Sequence, residues 1–162
     1  MKYYARKASI HDALYLAPRL RQADADEVRA SHGVAPREAL LLCLQSASHA
    51  YSLMIDNKVV GMFGVSPVEE GVGSPWMLCS DEAHRASAQF LRINQKWVDV
   101  LQSKYPLLMN YVDARNTKAI RWLRWCGFRL IALRPYGVEG RPFYEFCRIN
   151  PQCVDPQQPS RP

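Results

Sequence analysis

Apolar and polar positions alternate along the chain in blocks that predict most of its elements. Tyr3–Ser9 mixes aromatic and basic residues and predicts a first strand. His11–Leu20 predicts a short helix that ends near Pro18. Asp24 and Glu27 stand three apart, the spacing of a capping box, and predict a helix from Asp24 to about Ser31, stopped at Gly33. Pro36 opens another helix over Arg37–Ser46, with Leu40, Leu41 and Leu44 on one face. Tyr51–Ile55 and Val59–Val65 flank the tight turn Asp56-Asn57-Lys58 and predict a hairpin. Pro67, Gly71 and Gly73 mark Pro67–Ser74 as a turn region. The apolar runs Pro75–Cys79 and Leu107–Val112 predict buried strands, with a long helix over Asp81–Tyr105 between them. Phe90, Ile93, Trp97 and Leu101 form one stripe of that helix. Asn116–Cys126 predicts a helix stopped by Gly127, and Phe128–Leu133 and Phe143–Ile149 predict strands around the turn Gly137–Pro142.

The resulting order, β-α-α(-α)-β-β-β-α-β-α-β-β, is that of an α/β single domain. It has a mixed central sheet, with crossover helices where neighbouring strands run parallel. The chain between Pro75–Cys79 and Leu107–Val112 is long enough for such a crossover, so those two strands are expected side by side and parallel. A domain over residues 1–150 is followed by residues 151–162, where four prolines and few large apolar groups predict a disordered tail.

At 162 residues the chain suffices for one core without disulfide staples. Its longest apolar run, Ala39–Leu44, is too short to span a bilayer, so no membrane partner is expected. Five cysteines, an odd number with no C-x-x-C pair, disfavour zinc and a disulfide framework and suit reduced thiols in a cytoplasmic setting. The four histidines show no ligand spacing, and no metal is implied. Charge is uneven: residues 1–84 sum to −2 and residues 85–148 to +8. The second half therefore suits an anionic ligand such as a phosphate-rich cofactor. Arg115, Lys118, Arg121 and Arg124, interleaved with Trp122 and Trp125, make a basic and aromatic helical surface. No nucleic-acid motif accompanies it, so nucleic acid is disfavoured as a partner.

The stretch Asn116-Thr-Lys-Ala-Ile-Arg-Trp-Leu-Arg-Trp-Cys-Gly-Phe128 resembles a motif of the GCN5-related N-acetyltransferase (GNAT) superfamily. Asn116, Ala119, Ile120, Gly127 and Phe128 fall on that motif in register, and the order of elements over residues 3–149 is similar to that fold. The resemblance implies a GNAT-like sheet whose two parallel strands splay at their C-terminal ends. It also implies acetyl-CoA as cofactor and transfer of acetyl to an amine of a protein or small molecule. Leu78, Cys79 and Ser80 at the central strand end, and Asn116 at the motif, are the implied cofactor contacts. The family's phosphate loop aligns best with Arg85-Ala86-Ser87-Ala88-Gln89-Phe90, where Arg85, Ala86, Ser87 and Ala88 would hold the pyrophosphate on a helix N-terminus. Ala88 and Phe90 replace small residues of that loop, and Asp81 and Glu82 bring negative charge beside it.

The position where the family often carries an acidic tyrosine is Leu123. Tyr111, Tyr136, Cys79 and Ser80 are the substitutes as proton donor, and Glu69, Glu70 or Asp113 as base. Asp113, directly after its strand, is the leading base, and Tyr111 the leading hydroxyl. Within the superfamily the overall pattern is similar to compact acetyltransferase-like proteins of short-tailed lytic bacteriophages. That likeness implies action in the cytoplasm of an infected bacterium, with a host or phage protein as partner. Two functions follow: an acetyl-CoA-dependent N-acetyltransferase, or a catalytically silent fold of the same kind used to bind a protein.

Overall fold

The computed structural model describes residues 1–85 and 87–150, and only the backbone of Ser87. The predicted tail, residues 151–162, and Ala86 of the predicted phosphate loop lie outside the described residues. Strand β1 (Tyr3–Lys7) is followed by helices α1 (Ile10–Leu16), α2 (Gln22–His32) and α3 (Pro36–Ser46). Then come β2 (His49–Ile55), β3 (Lys58–Glu69), β4 (Val72–Cys79), α4 (Ser87–Gln102), β5 (Leu107–Asp113), α5 (Thr117–Trp125), β6 (Arg129–Tyr136) and β7 (Arg141–Ile149). One seven-stranded sheet runs β1-β2-β3-β4-β5-β7-β6. Only β4–β5 is parallel, and α4 is the crossover that such a pair requires.

Helices cover both faces, which is why β3 is buried from Val59 to Val65. Helices α4 and α5 pack with Leu53, Val60 and Phe63 on one face; α1–α3 pack with Met54, Val59 and Met62 on the other. Val60 and Met62, two residues apart, serve opposite faces because β2 pairs Leu53 with Gly61 and Met54 with Val59, bulging Val60 out of register. A glycine is needed at Gly61, since a Cβ there would come 2.8 Å from Cys79 Sγ.

Four expectations change in detail. Asp24 does not cap α2, which begins two residues earlier; it lies buried in the first turn. The capping box belongs instead to Ser9 and Asp12 of α1. The turn region at Pro67–Ser74 shrinks to Glu70-Gly71, because β3 runs on to Glu69 and β4 starts at Val72. The predicted helix Asp81–Tyr105 is split into a 3₁₀ turn, Asp81–His84, and α4. Its deepest stripe is Phe90, Asn94, Val98 and Leu101, with Ile93 and Trp97 only half-buried. Asn94 is tolerated there because its amide donates to the Phe90 carbonyl at 2.7 Å.

Candidate functional site

Strands β4 and β5 pair only at Val72–Leu107 and Gly73–Leu108. Beyond that point the Asn110 amide bridges to the Pro75 carbonyl at 2.8 Å. No further β4–β5 pairing follows, and the two strands part toward their C-terminal ends. A cavity of about 460 Å³ lies at this gap. Its wall takes Val28 and Cys43 from α2 and α3 and also Phe90 and Leu123 from α4 and α5, so it passes through the sheet.

The backbone of β4 offers little free edge there. Strand alternation turns the N–H and C=O of Pro75, Met77 and Cys79 toward the gap, proline having no N–H. Cys79 is already taken: its N–H donates to Asp24 Oδ2 at 2.9 Å, and its carbonyl accepts from the Arg21 N–H at 2.8 Å. The Arg21 guanidinium donates to Asp24 Oδ1 at 2.7 Å and to Asn116 Oδ1 at 3.1 Å. The Asn116 amide donates to Asp24 Oδ1 at 3.1 Å. Arg21, Asp24 and Asn116 are all buried, so this clasp is a neutral, fully engaged ion pair that locks α2 and α5 onto the end of β4. Asn116 also caps α5 through the Ala119 N–H.

One carboxyl on the cavity wall has no cationic partner. Glu27 lies one turn beyond Asp24 on the same face of α2, as their spacing of three requires. Its Oε1 accepts the Asp113 N–H at 2.7 Å. Burial of the carboxyl, then the nearby charges of Asp24 and Asp113, push it up to about 8, against the hydrogen bonds from Asp113 N–H and Asn116. In sequence terms the spacing of Glu27 from Asp24 marks it as part of a helix cap. Only its spacing from Asp24 hinted that both would face one way.

Several residues expected at the site are committed elsewhere. Asp113 does not line the cavity; Arg115 grips its carboxylate with contacts of 2.7 to 3.2 Å. Burial favours its neutral form, but the Arg115 guanidinium and N–H outweigh it and hold Asp113 below its usual value. A carboxylate so paired is a weak proton acceptor. Burial raises the Cys79 thiol far above its ordinary range, which removes it as a thiolate. Ser80 Oγ donates to the Val60 carbonyl at 3.1 Å. Leu78 packs among the α1–α3 core residues and, like Cys79, also lines the cavity.

Tyr111 does face the cavity, stacked on Tyr136 with ring centroids 4.0 Å apart. Arg85 and Ala88 are exposed at the start of α4. Phe90 turns inward between Tyr3 and His84, at 6.1 and 4.9 Å, and so does not stand over that helix end. Glu82 pairs with Lys58 at 3.5 Å. Three buried nitrogens without hydrogen-bond partners, Trp76 Nε1, His84 Nε2 and Trp122 Nε1, belong to residues of the cavity wall. Glu69 and Glu70 lie exposed at the β3–β4 turn, away from the cavity.

Val138 and Glu139, at the β6–β7 tip, donate backbone N–H groups to the Ser31 and Ala30 carbonyls at 3.2 and 3.3 Å. Gly137, at φ +77°, allows this contact, because a Cβ would lie 2.5 Å from the Ala30 oxygen.

No protein-family model and no curated protein matches this chain by sequence. Solved structures match it over nearly all its length. An N-acetyltransferase from Staphylococcus aureus Mu50 superposes with a TM-score of 0.71 at 12% identity, covering 92% of this chain and 99% of the other. Ard1 from Thermoplasma volcanium gives 0.69 at 18%, covering 92% and 98%. AAC(6')-Ib in complex with ribostamycin and coenzyme A gives 0.69 at 14%, covering 99% and 100%. Another match is described as an acetyltransferase of the GNAT family. The chain thus has the GNAT fold, as its motif and element order led us to expect. Among the described residues no helix is long and apolar enough to cross a membrane.

Proposed function

We propose that the protein is an acetyl-CoA-dependent N-acetyltransferase acting on an amine. The observation that carries this reading is Glu27, a carboxyl without a cationic partner on the wall of a cavity that crosses the sheet at the open β4–β5 gap. The residues present fit the cofactor. Met77 keeps a gap-facing N–H and C=O for an extended amide chain, the three unpartnered nitrogens belong to residues of the same wall, and exposed Arg85 at the N-terminus of α4 suits phosphates. Met77 takes the backbone role expected of Cys79, and Arg85, Ala86, Ser87 and Ala88 keep theirs. Bound acetyl-CoA supplies an acetyl group on a good leaving thiolate.

The chain's own residues prepare the acceptor. The Glu27 carboxylate takes a proton from the ammonium and leaves a neutral, nucleophilic amine. A value near 8 suits that exchange, because a carboxylate in its ordinary range would be too weak a base. Asp113 contributes its backbone N–H, which orients the Glu27 carboxyl. Tyr111 and Tyr136 hold the acceptor in place as a stacked wall. The resemblance drawn from the sequence supports a setting in the cytoplasm of an infected bacterium.

Calorimetry with acetyl-CoA tests the reading directly. Heat on titration and a raised melting temperature are expected, together with thiol release when an amine is added. Glu27→Gln should lower turnover about 100-fold while acetyl-CoA still binds. No heat and no melting shift at millimolar acetyl-CoA, on a folded sample, would overturn the proposal. A second reading, a silent binding module for a host or phage protein, draws on the Asp24 cap over the Cys79 N–H and on Leu123 at the motif's tyrosine position. In that case the contact surface is α5, where Lys118, Arg121 and Arg124 lie exposed around a half-exposed Trp125.

A further inference from the structure

The cavity's chemistry restricts the amine. Among the described residues its wall holds two carboxyls, Asp24 and Glu27, and Asp24 is neutralised by Arg21. Outside the wall, Asp113 pairs with Arg115, Glu139 with Arg141 and Glu145 with Arg134, while Asp81 stands exposed to solvent. One cation can therefore be matched inside, and no more. Around Glu27 the α2–α3 side of the wall carries Val28, Val34, Leu42, Trp76 and the Tyr111–Tyr136 stack, and its polar side chains, Ser31, His32 and Ser46, bear no negative charge. A second ammonium there would meet no carboxylate to pair with.

Resting on the acetyltransferase reading, we infer that the acceptor is a small primary amine with a single positive charge on an apolar, preferably aromatic, body. Its nitrogen meets Glu27, and its body lies against Trp76 and the tyrosine pair. Polyamines and aminoglycosides are excluded by charge, although one structure of similar fold is in complex with ribostamycin. The amine and the Glu27 carboxyl together are neutral whichever of them holds the proton. The complex therefore buries no net charge.

Binding can be read without the cofactor, from tryptophan fluorescence of the full chain. 2-Phenylethylamine should saturate the signal at a concentration at least tenfold below spermidine or kanamycin. Glu27→Gln, checked for native circular dichroism, should weaken 2-phenylethylamine about tenfold. Leu42 lines the wall and is 48% exposed, so Leu42→Glu can add a second carboxylate without disturbing the core. That variant should tighten 1,4-diaminobutane about tenfold. Spermidine or kanamycin binding as tightly as 2-phenylethylamine would overturn the inference. So would a folded Glu27→Gln that binds unchanged, or no amine binding at all. Acetyl-CoA calorimetry on the same sample separates the two claims: absence of heat there sinks the acetyltransferase reading, whereas the amine series tests only the acceptor.

Discussion

Replacing Glu27 by glutamine should change how stability depends on pH, independently of any catalysis. The carboxyl moves from an ordinary 4.5 to about 8 in the fold, driven by burial and by Asp24 and Asp113. Between those values the native state holds a proton that the unfolded chain has released. Stability therefore falls as pH rises through this window and levels off above about 8. Full linkage over about pH 5 to 9 would be worth about 4 kcal/mol. Glu27 keeps some accessible surface, which softens the effect, so about 2 kcal/mol is expected. Glutamine keeps the shape and can still accept the Asp113 N–H, but it carries no charge to desolvate. Urea unfolding of wild type and Glu27→Gln, followed by far-ultraviolet circular dichroism at about pH 5, 7 and 9, measures this. The difference between the two proteins cancels every contribution that both share. It should move in favour of the variant by about 2 kcal/mol across the range. A difference that stays constant with pH would show that the Glu27 carboxyl is well solvated, and the basis for its role as base would go with it.

Other predictions concern the clasp and the first helix. Arg21→Met strands a buried Asp24 carboxylate and should cost about 3–5 kcal/mol in urea unfolding; adding Asp24→Leu should recover part of that loss, which a merely local packing defect would not allow. Asp12 is held down to about 2: burial opposes its charge, but Arg6, Ser52 and the Ser9 N–H outweigh it. Asp12→Asn should therefore cost about 1–2 kcal/mol at neutral pH, with the gap to wild type shrinking as pH falls from about 4 toward 2, measured by thermal unfolding.

Much of the fold was legible because it is set by short-range chemistry. The Asn116–Phe128 segment shows its helix by period, its start by an Asn cap and its stop by Gly127 at φ +87°. Apolar strands around a long helix forced a parallel pair, and β4 and β5 are that pair. Errors fell where long-range contacts overrode a local signal. Asp24 and Glu27 have the spacing of a cap, yet burial against β4 and β5 gave them other partners.

Neighbouring residues set the elements, their order and the β4–β5 pairing, because periodicity and turn chemistry are properties of short stretches of chain. The insertion of β7 between β5 and β6 and the reactivity of individual groups come from contacts far apart in sequence. Asp24 reaches Cys79 across 55 positions, Glu27 reaches Asp113 across 86 and Asn116 reaches Asp24 across 92. A carboxyl's proton affinity depends on the water it loses and the charges it meets. For Asp113 the neighbour is an arginine two residues away; for Glu27 the neighbours are carboxylates, one of them on a distant strand. The same side-chain chemistry thus yields a locked ion pair at one position and a carboxyl of raised proton affinity at the other, a distinction set by the folded surroundings.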